Sequence, residues 1–120
     1  SHLAEICLTV FGYHPLAVSA YEKKGNVTAV VHYADFDVAC HYMDGCYTYF
    51  GAVYGKEHVM TRTIDMSDCY CLECDAFASL LRTGSMLHSY EELIAPVFLL
   101  NATKKAYETG KTVALEPIVL

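Results

Sequence analysis

DAFASLLRTGSMLHSYEELIAPVFLLNATKKAYETGKTVAL, residues 75–115, holds a helix end, a capped second helix and an exit strand. Gly84 can take the left-handed conformation that a helix C′ position needs, so it closes the first helix. Ser89 opens the second. Its hydroxyl can accept from an early amide, and Glu92, three residues on, completes a capping box. Leu93, Val97 and Leu100, flanked by Ile94, Phe98 and Leu99, predict a wide apolar stripe facing a core. Lys104 and Lys105 lie toward the C-terminal end, where the helix dipole favours cations. Gly110 stops the helix, and Lys111 to Leu115 leaves as a short strand. Pro96 removes one helical hydrogen bond, so the helix kinks there or a new one starts with Pro96 in its first turn.

Upstream, Leu3, Ile6, Cys7, Val10 and Phe11 share one helical face over His2 to Phe11, and Gly12 ends that helix. Five strand-like runs follow: Leu16 to Lys23, Val27 to Ala34, Val38 to Met43, Cys46 to Val53 and His58 to Ile64. Lys24-Gly25-Asn26 reads as a turn, and Asp44-Gly45 as a two-residue hairpin. The simplest arrangement is an antiparallel meander. A helix over Asp68 to Leu81 then places Cys71, Cys74, Phe77, Ala78 and Leu81 on one face, with Ser67 as its N-cap. A run of strands followed by helices predicts an α+β fold: a mostly antiparallel open sheet of about six strands with helices on one face. Val30 on the uncovered face, and Tyr47 and Tyr49 opposed to Phe50, give that side an apolar character that calls for a ligand or a partner.

The totals narrow the function classes. At 120 residues, with no linker or repeat, the chain reads as a single domain. A net charge of −6 with only eight Lys and Arg, scattered along the chain, argues against nucleic acid. No apolar run is long enough for a membrane span. The six cysteines read as reduced thiols, because the helix and strand periodicity needs no staples, and this points to the cytoplasm.

The C-terminal stretch resembles the end of the glucose–fructose oxidoreductase / inositol dehydrogenase family (Gfo/Idh/MocA). The residues that carry the likeness are Phe77, Arg82, Gly84, Ser89, Glu92, Ala102, Ala106, Thr109, Gly110, Lys111 and Val113. Near the start, His2, Glu5, Gly12, Val18 and Ala20 fit the family's opening helix and strand. Glu5 stands where Asp is usual, and the Asp four residues before the family's His would precede Ser1. Gly51 and Gly55 are one residue further apart than in the family's Gly-Thr-x-Gly turn. The resemblance implies a C-terminal substrate and oligomerisation domain of a longer enzyme, whose N-terminal Rossmann domain would bind NAD or NADP. That missing domain is the first implied partner. The others are a second copy on the open sheet face and a small sugar or inositol substrate. The seven glycines give no Gly-x-Gly-x-x-Gly, and no Glu-Lys-Pro is present, so no cofactor is expected on this chain alone and the fragment is expected to be inactive.

His2 is the catalytic candidate, because the resemblance gives the family's proton-transferring His this place and imidazole suits that task. Ser1-His2 also reads as the remnant of a cleaved tag. His32 and His41, beside Tyr33 and Tyr42 in strands, are candidate substrate contacts, and ordinary half-exposed sheet positions on the plainer reading. Cys69, Cys71 and Cys74 have part of a zinc spacing, with Cys40, His41 and Cys46 as conceivable further ligands, but no second Cys-x-x-Cys pair exists. Small core thiols on the apolar face of the helix explain Cys71 and Cys74 better, and no metal is assigned. Asp35 and Asp37 read as turn residues. The rival to the enzyme reading is a free-standing, non-catalytic small-molecule-binding or dimerisation module.

Overall fold

A computed structural model describes residues 2–119. Ser1, and with it half of the tag-remnant reading, lies outside them. The element order is α1 (His2–Phe11), β1 (Ala17–Lys23), β2 (Asn26–His32), β3 (Asp37–Tyr42), β4 (Tyr49–Tyr54), β5 (Val59–Ile64), α2 (Cys69–Thr83), α3 (Tyr90–Thr109) and β6 (Val113–Ala114). The fold is α+β with antiparallel pairing throughout. The chain divides into two compact units, residues 1–45 with 88–120, and residues 46–87.

In the first unit the sheet order is β3-β2-β1-β6. The turn Lys24-Gly25 is two residues long and pairs Lys23 with Asn26, which fixes the whole β1–β2 register. Both turn residues have positive φ, at 52° and 84°. The β2–β3 turn pairs His32 with Asp37. Alternation then sorts the side chains. Val18, Ala20, Ala29, Val31, Val38 and Cys40 are buried and face α1 and α3. Ser19, Thr28, Val30, His32, Asp37, Ala39 and His41 stand on the other face, which is more polar than the apolar surface expected there.

The second helix of the opening stretch forms as read at both ends. Ser89 accepts from the Glu92 amide at 3.2 Å and Glu92 accepts from the Ser89 amide at 3.0 Å, a complete capping box. Gly110 closes the helix in the left-handed region at φ 67°. The helix runs through Pro96 without ending, so neither a stop nor a restart is needed there. The buried stripe differs from the one expected. Ala95, Leu99, Ala102, Thr103 and Ala106 are buried, whereas Leu93, Val97 and Phe98 remain about half exposed. Spacings of three and four residues put the alanines on one face, and their small side chains let the helix axis come close to β1. Thr103 is satisfied within the helix, donating to the Leu99 carbonyl at 2.7 Å. Gly12 ends α1 and returns its amide to Leu8 at 2.9 Å. Tyr33 stacks on Phe36 and donates from its hydroxyl to the Gly12 carbonyl at 2.7 Å, tying that end to the β2–β3 turn.

The second unit is a β4–β5 hairpin and α2. The expected five-strand meander stops after β3, because β3 and β4 do not pair. Asp44-Gly45 is a turn but not a hairpin: the Asp44 amide donates to Asn26 Oδ1 at 2.9 Å, anchoring the turn to β2. The expected core face of α2 is also absent. Cys71 and Cys74 are exposed, as are Phe77 and Leu81, and no residue of the helix is buried. A two-stranded hairpin offers too little surface to bury such a stripe. The N-cap is Asp68 rather than Ser67, and it makes no side-chain cap bond. Ser67 instead donates its amide to Asp65 at 2.9 Å, which holds the Asp65 carboxyl below its ordinary value.

Two outcomes follow for stability. Leu99→Ala should cost about 3 kcal/mol in chemical denaturation, because Leu99 is 1% exposed, whereas Val97→Ala should cost less than about 1 kcal/mol. Equal losses would mean that the helix buries a different face. Among the described residues the Tyr42 hydroxyl is buried with no hydrogen-bond partner, and burial, with Cys40 and Cys7 nearby, pushes its ionisation well above the ordinary value. The fold therefore holds that proton more tightly than the unfolded chain does. This contribution is intact below about pH 10 and is lost as pH rises further. Tyr42→Phe should leave stability at neutral pH within about 1 kcal/mol and reduce the alkaline loss; a large loss at neutral pH would reveal a bond to that hydroxyl.

Candidate functional site

The face of the four-stranded sheet opposite α1 and α3 carries a continuous run of polar contacts. His32, at the end of β2, uses both ring nitrogens. Nδ1 lies 2.8 Å from Asp37 Oδ1, and Nε2 lies 2.9 Å from Ser19 Oγ. Ser19 Oγ is in turn 2.7 Å from Thr112 Oγ1. The chain Asp37–His32–Ser19–Thr112 crosses the sheet from β3 to the residue leading into β6.

The donors and acceptors close in either protonation state of the imidazole. With a neutral ring, Nδ1–H donates to Asp37, Nε2 accepts from Ser19, and Ser19 accepts from Thr112. With a charged ring, Nε2–H donates to Ser19, which then donates to Thr112. One added proton reverses the two hydroxyl bonds and breaks none. The arrangement can hold a proton and pass it along the face. The small side chains of Ala17 and Ala114, cross-strand neighbours beside His32, leave the imidazole a third exposed.

His41 is on the same face. It lies four residues along the ladder, so about 13 Å from His32. Its Nδ1 is 3.3 Å from Thr28 Oγ1. Thr28, with Tyr21, Lys23, Lys24, Asn26 and Met43, lines a shallow recess of about 400 Å³. The two strand histidines are thus brought to one surface but to separate places on it. His2 is exposed on α1, with Nδ1 4.0 Å from Glu5 Oε2. That helix packs on the covered side of the sheet, so His2 does not join His32 and His41.

Asp37, Ser19 and Thr112 were not among the sequence candidates. Asp37 resembles a turn residue until the register places it opposite His32. Ser19 carries no motif. The two-residue turn at Lys24-Gly25 was the available signal, since it sets Ser19 diagonal to His32 on one face.

The described residues contain no group of three or more His, Cys, Asp or Glu arranged for a metal ion. Cys40 is buried in the first unit, whereas Cys71 and Cys74 are exposed on α2 in the second. A dinucleotide fits poorly here. Its pyrophosphate needs a parallel strand, a glycine turn and a helix N-terminus in succession. All strand pairs are antiparallel, and the strand-to-helix turn over residues 65–68 contains no glycine. None of the helices is long and apolar enough to cross a membrane, among the described residues.

Nitrogen-15 NMR of the histidines should find His32 as the Nδ1–H tautomer, held there by Asp37. In Asp37→Ala the ring should move toward the Nε2–H tautomer, with a stability loss of no more than about 1 kcal/mol for so exposed a pair. An unchanged tautomer would show that the carboxylate does not orient the ring.

No family model matches the chain, and no curated protein matches it in sequence. Its fold is similar to that of the crystal structure of a "putative myo-inositol dehydrogenase" from Sinorhizobium meliloti 1021, with a TM-score of 0.57 and 12% sequence identity. The likeness covers 96% of this chain and 48% of that chain, so the protein spans about half the length of the structure it resembles. At this identity the likeness is one of fold.

Proposed function

We propose that the chain is the C-terminal, substrate-side domain of a longer NAD(P)-dependent oxidoreductase of the Gfo/Idh/MocA type. The reaction would interconvert a hydroxyl and a carbonyl on a sugar, an inositol or a related molecule. The single observation that carries this reading is the match of nearly the whole chain to half of an inositol dehydrogenase-like structure. The motif resemblance from Phe77 to Val113 supports it independently. The nicotinamide cofactor would be held by a Rossmann domain elsewhere in the parent protein, since the antiparallel sheets here offer no cradle for it.

In this reading His2, exposed at the start of α1, takes or returns the proton of the substrate hydroxyl. Glu5 lies one helical turn away, 4.0 Å from the imidazole. On the other side of the sheet from His2, the Asp37–His32–Ser19–Thr112 chain and the recess beside His41 offer hydroxyl and imidazole groups that a polyol would contact separately from the place where His2 acts. The same face is where a second copy would pack. The second unit adds exposed apolar side chains, Phe50, Tyr54, Met60 and Phe77, that also favour assembly with a partner. The acidic balance and reduced thiols fit a cytoplasmic protein.

The reading frame upstream of residue 1 tests this. It should encode a Gly-x-Gly-x-x-Gly turn and a Glu-Lys-Pro motif. The complete product should oxidise a polyol with NAD or NADP, and His2→Asn should lower kcat by about 10²–10⁴ without unfolding the protein. A stop codon directly upstream would sink the proposal and leave a binding or dimerisation module.

A further inference from the structure

Three side chains of the outer sheet face stand in the order that a nucleophilic hydroxyl needs. Ser19 Oγ is 2.9 Å from His32 Nε2, and His32 Nδ1 is 2.8 Å from Asp37 Oδ1. A hydroxyl within hydrogen-bond reach of an imidazole, itself oriented by a carboxylate, is the arrangement that activates a weak nucleophile. The register builds it from three strands. His32 pairs with Asp37 on one side and with Ala17 on the other, and Ser19, two residues along β1 from Ala17, lies diagonal to the ring. Ser19 and His32 are only partly buried, so a small molecule can reach both from solvent. Their neighbours on this face, Ala17, Ala114, Val30 and Ala39, are small and apolar. Thr112 Oγ1, 2.7 Å from Ser19 Oγ, brings a second hydroxyl to the same spot.

We propose that Ser19, His32 and Asp37 hydrolyse small activated carboxylic esters through an acyl intermediate on Ser19. This inference is independent of the dehydrogenase reading, since every group lies in this chain and no nicotinamide takes part. The neutral imidazole, with Nδ1–H donated to Asp37, leaves Nε2 to accept the Ser19 proton, which is the form a general base requires. Asp37 is a positioning residue: it fixes that tautomer and stabilises the imidazolium that forms. Thr112 is the donor to the developing oxyanion. One hydroxyl stabilises less charge than a pair of backbone amides, so the site suits esters whose leaving alcohol is already acidic. The shelf of alanines and Val30 is shallow and suits a short acyl chain.

Ser19 Oγ attacks the carbonyl carbon as its proton passes to His32 Nε2. The carbonyl π pair moves to oxygen. At rest Thr112 donates to Ser19 Oγ; as Oγ becomes an ester oxygen and a poorer acceptor, that O–H turns to the oxyanion. The oxyanion pair then re-forms the carbonyl, the bond to the leaving oxygen breaks, and that oxygen takes the proton from Nε2 and departs as the alcohol. Water attacks the acyl carbon and gives its proton to Nε2. The bond from that carbon to Ser19 Oγ breaks, and Oγ recovers the proton. One ester and one water become one acid and one alcohol, with no change of oxidation state.

The test treats the intact chain at low concentration with a fluorophosphonate, which modifies a serine only where a neighbouring base activates it, and maps the adduct by mass. Ser19 should be modified in the folded chain and spared in denaturant. This arm needs no variant, so failure to fold does not cloud it. With the accessible thiols first blocked by methyl methanethiosulfonate, p-nitrophenyl acetate should be turned over beyond one equivalent. Ser19→Ala should slow that turnover by about 10²-fold or more, to the rate of the unfolded chain. Asp37→Ala should slow both reactions as the His32 ring moves to the Nε2–H tautomer, a coupling that a loss of stability alone would not produce. The proposal falls if the fluorophosphonate leaves Ser19 of the folded chain unmodified, or modifies it equally in denaturant. It falls equally if Ser19→Ala releases p-nitrophenolate as fast as the parent chain.

Discussion

The close seating of α3 on the sheet governs the first unit. Among the described residues, six of its thirteen buried apolar residues are alanines, three of them on α3, so the layers meet backbone-near rather than through long side chains. A helix held that close leaves little room for polar groups between the layers. Thr103 turns back on its own helix, whereas the Tyr42 hydroxyl is buried without a partner among the described residues. The remaining polar chemistry of the strands is displaced to the other face. There solvent can supply what neighbours do not, and His32, Asp37, Ser19 and Thr112 form a continuous chain of hydrogen bonds.

Much of the fold was legible because local rules decided it. The Ser89–Glu92 box, the glycine stops at 84 and 110 and the turn at Lys24-Gly25 need only short-range geometry. The misreadings share a cause. Leu93, Val97 and Phe98 are the larger apolar residues of α3, and a hydrophobicity pattern favours them. Distance of approach decided instead for Ala95, Ala102 and Ala106. Asp44-Gly45 has hairpin chemistry, but pairing also needs a strand on each side willing to continue the ladder, and β4 pairs only with β5.

The polar chain on the open face was half legible. His32 stood out by residue type, but Asp37 and Ser19 became partners only through register, which is a property of two turns taken together. The two buried cysteines show the same limit more strongly. Cys7 belongs to a helical face and Cys40 to a strand face, and nothing local links them. Only the packing of α1 against the sheet brings both into one core cluster.

Strand parity therefore has a consequence for how this chain can vary. On β3, Asp37, Ala39 and His41 alternate with Val38, Cys40 and Tyr42, so one strand serves the outer hydrogen-bond chain and the inner core at once. A single-residue insertion or deletion in the turn at 33–36 that slipped β3 by one position would exchange the two sets. The carboxylate would turn inward against the helices and a sulfur outward into water. Length changes in that turn are confined to those that keep parity. The adjoining segment at 44–48, which ends the sheet without pairing to it, carries no such restriction.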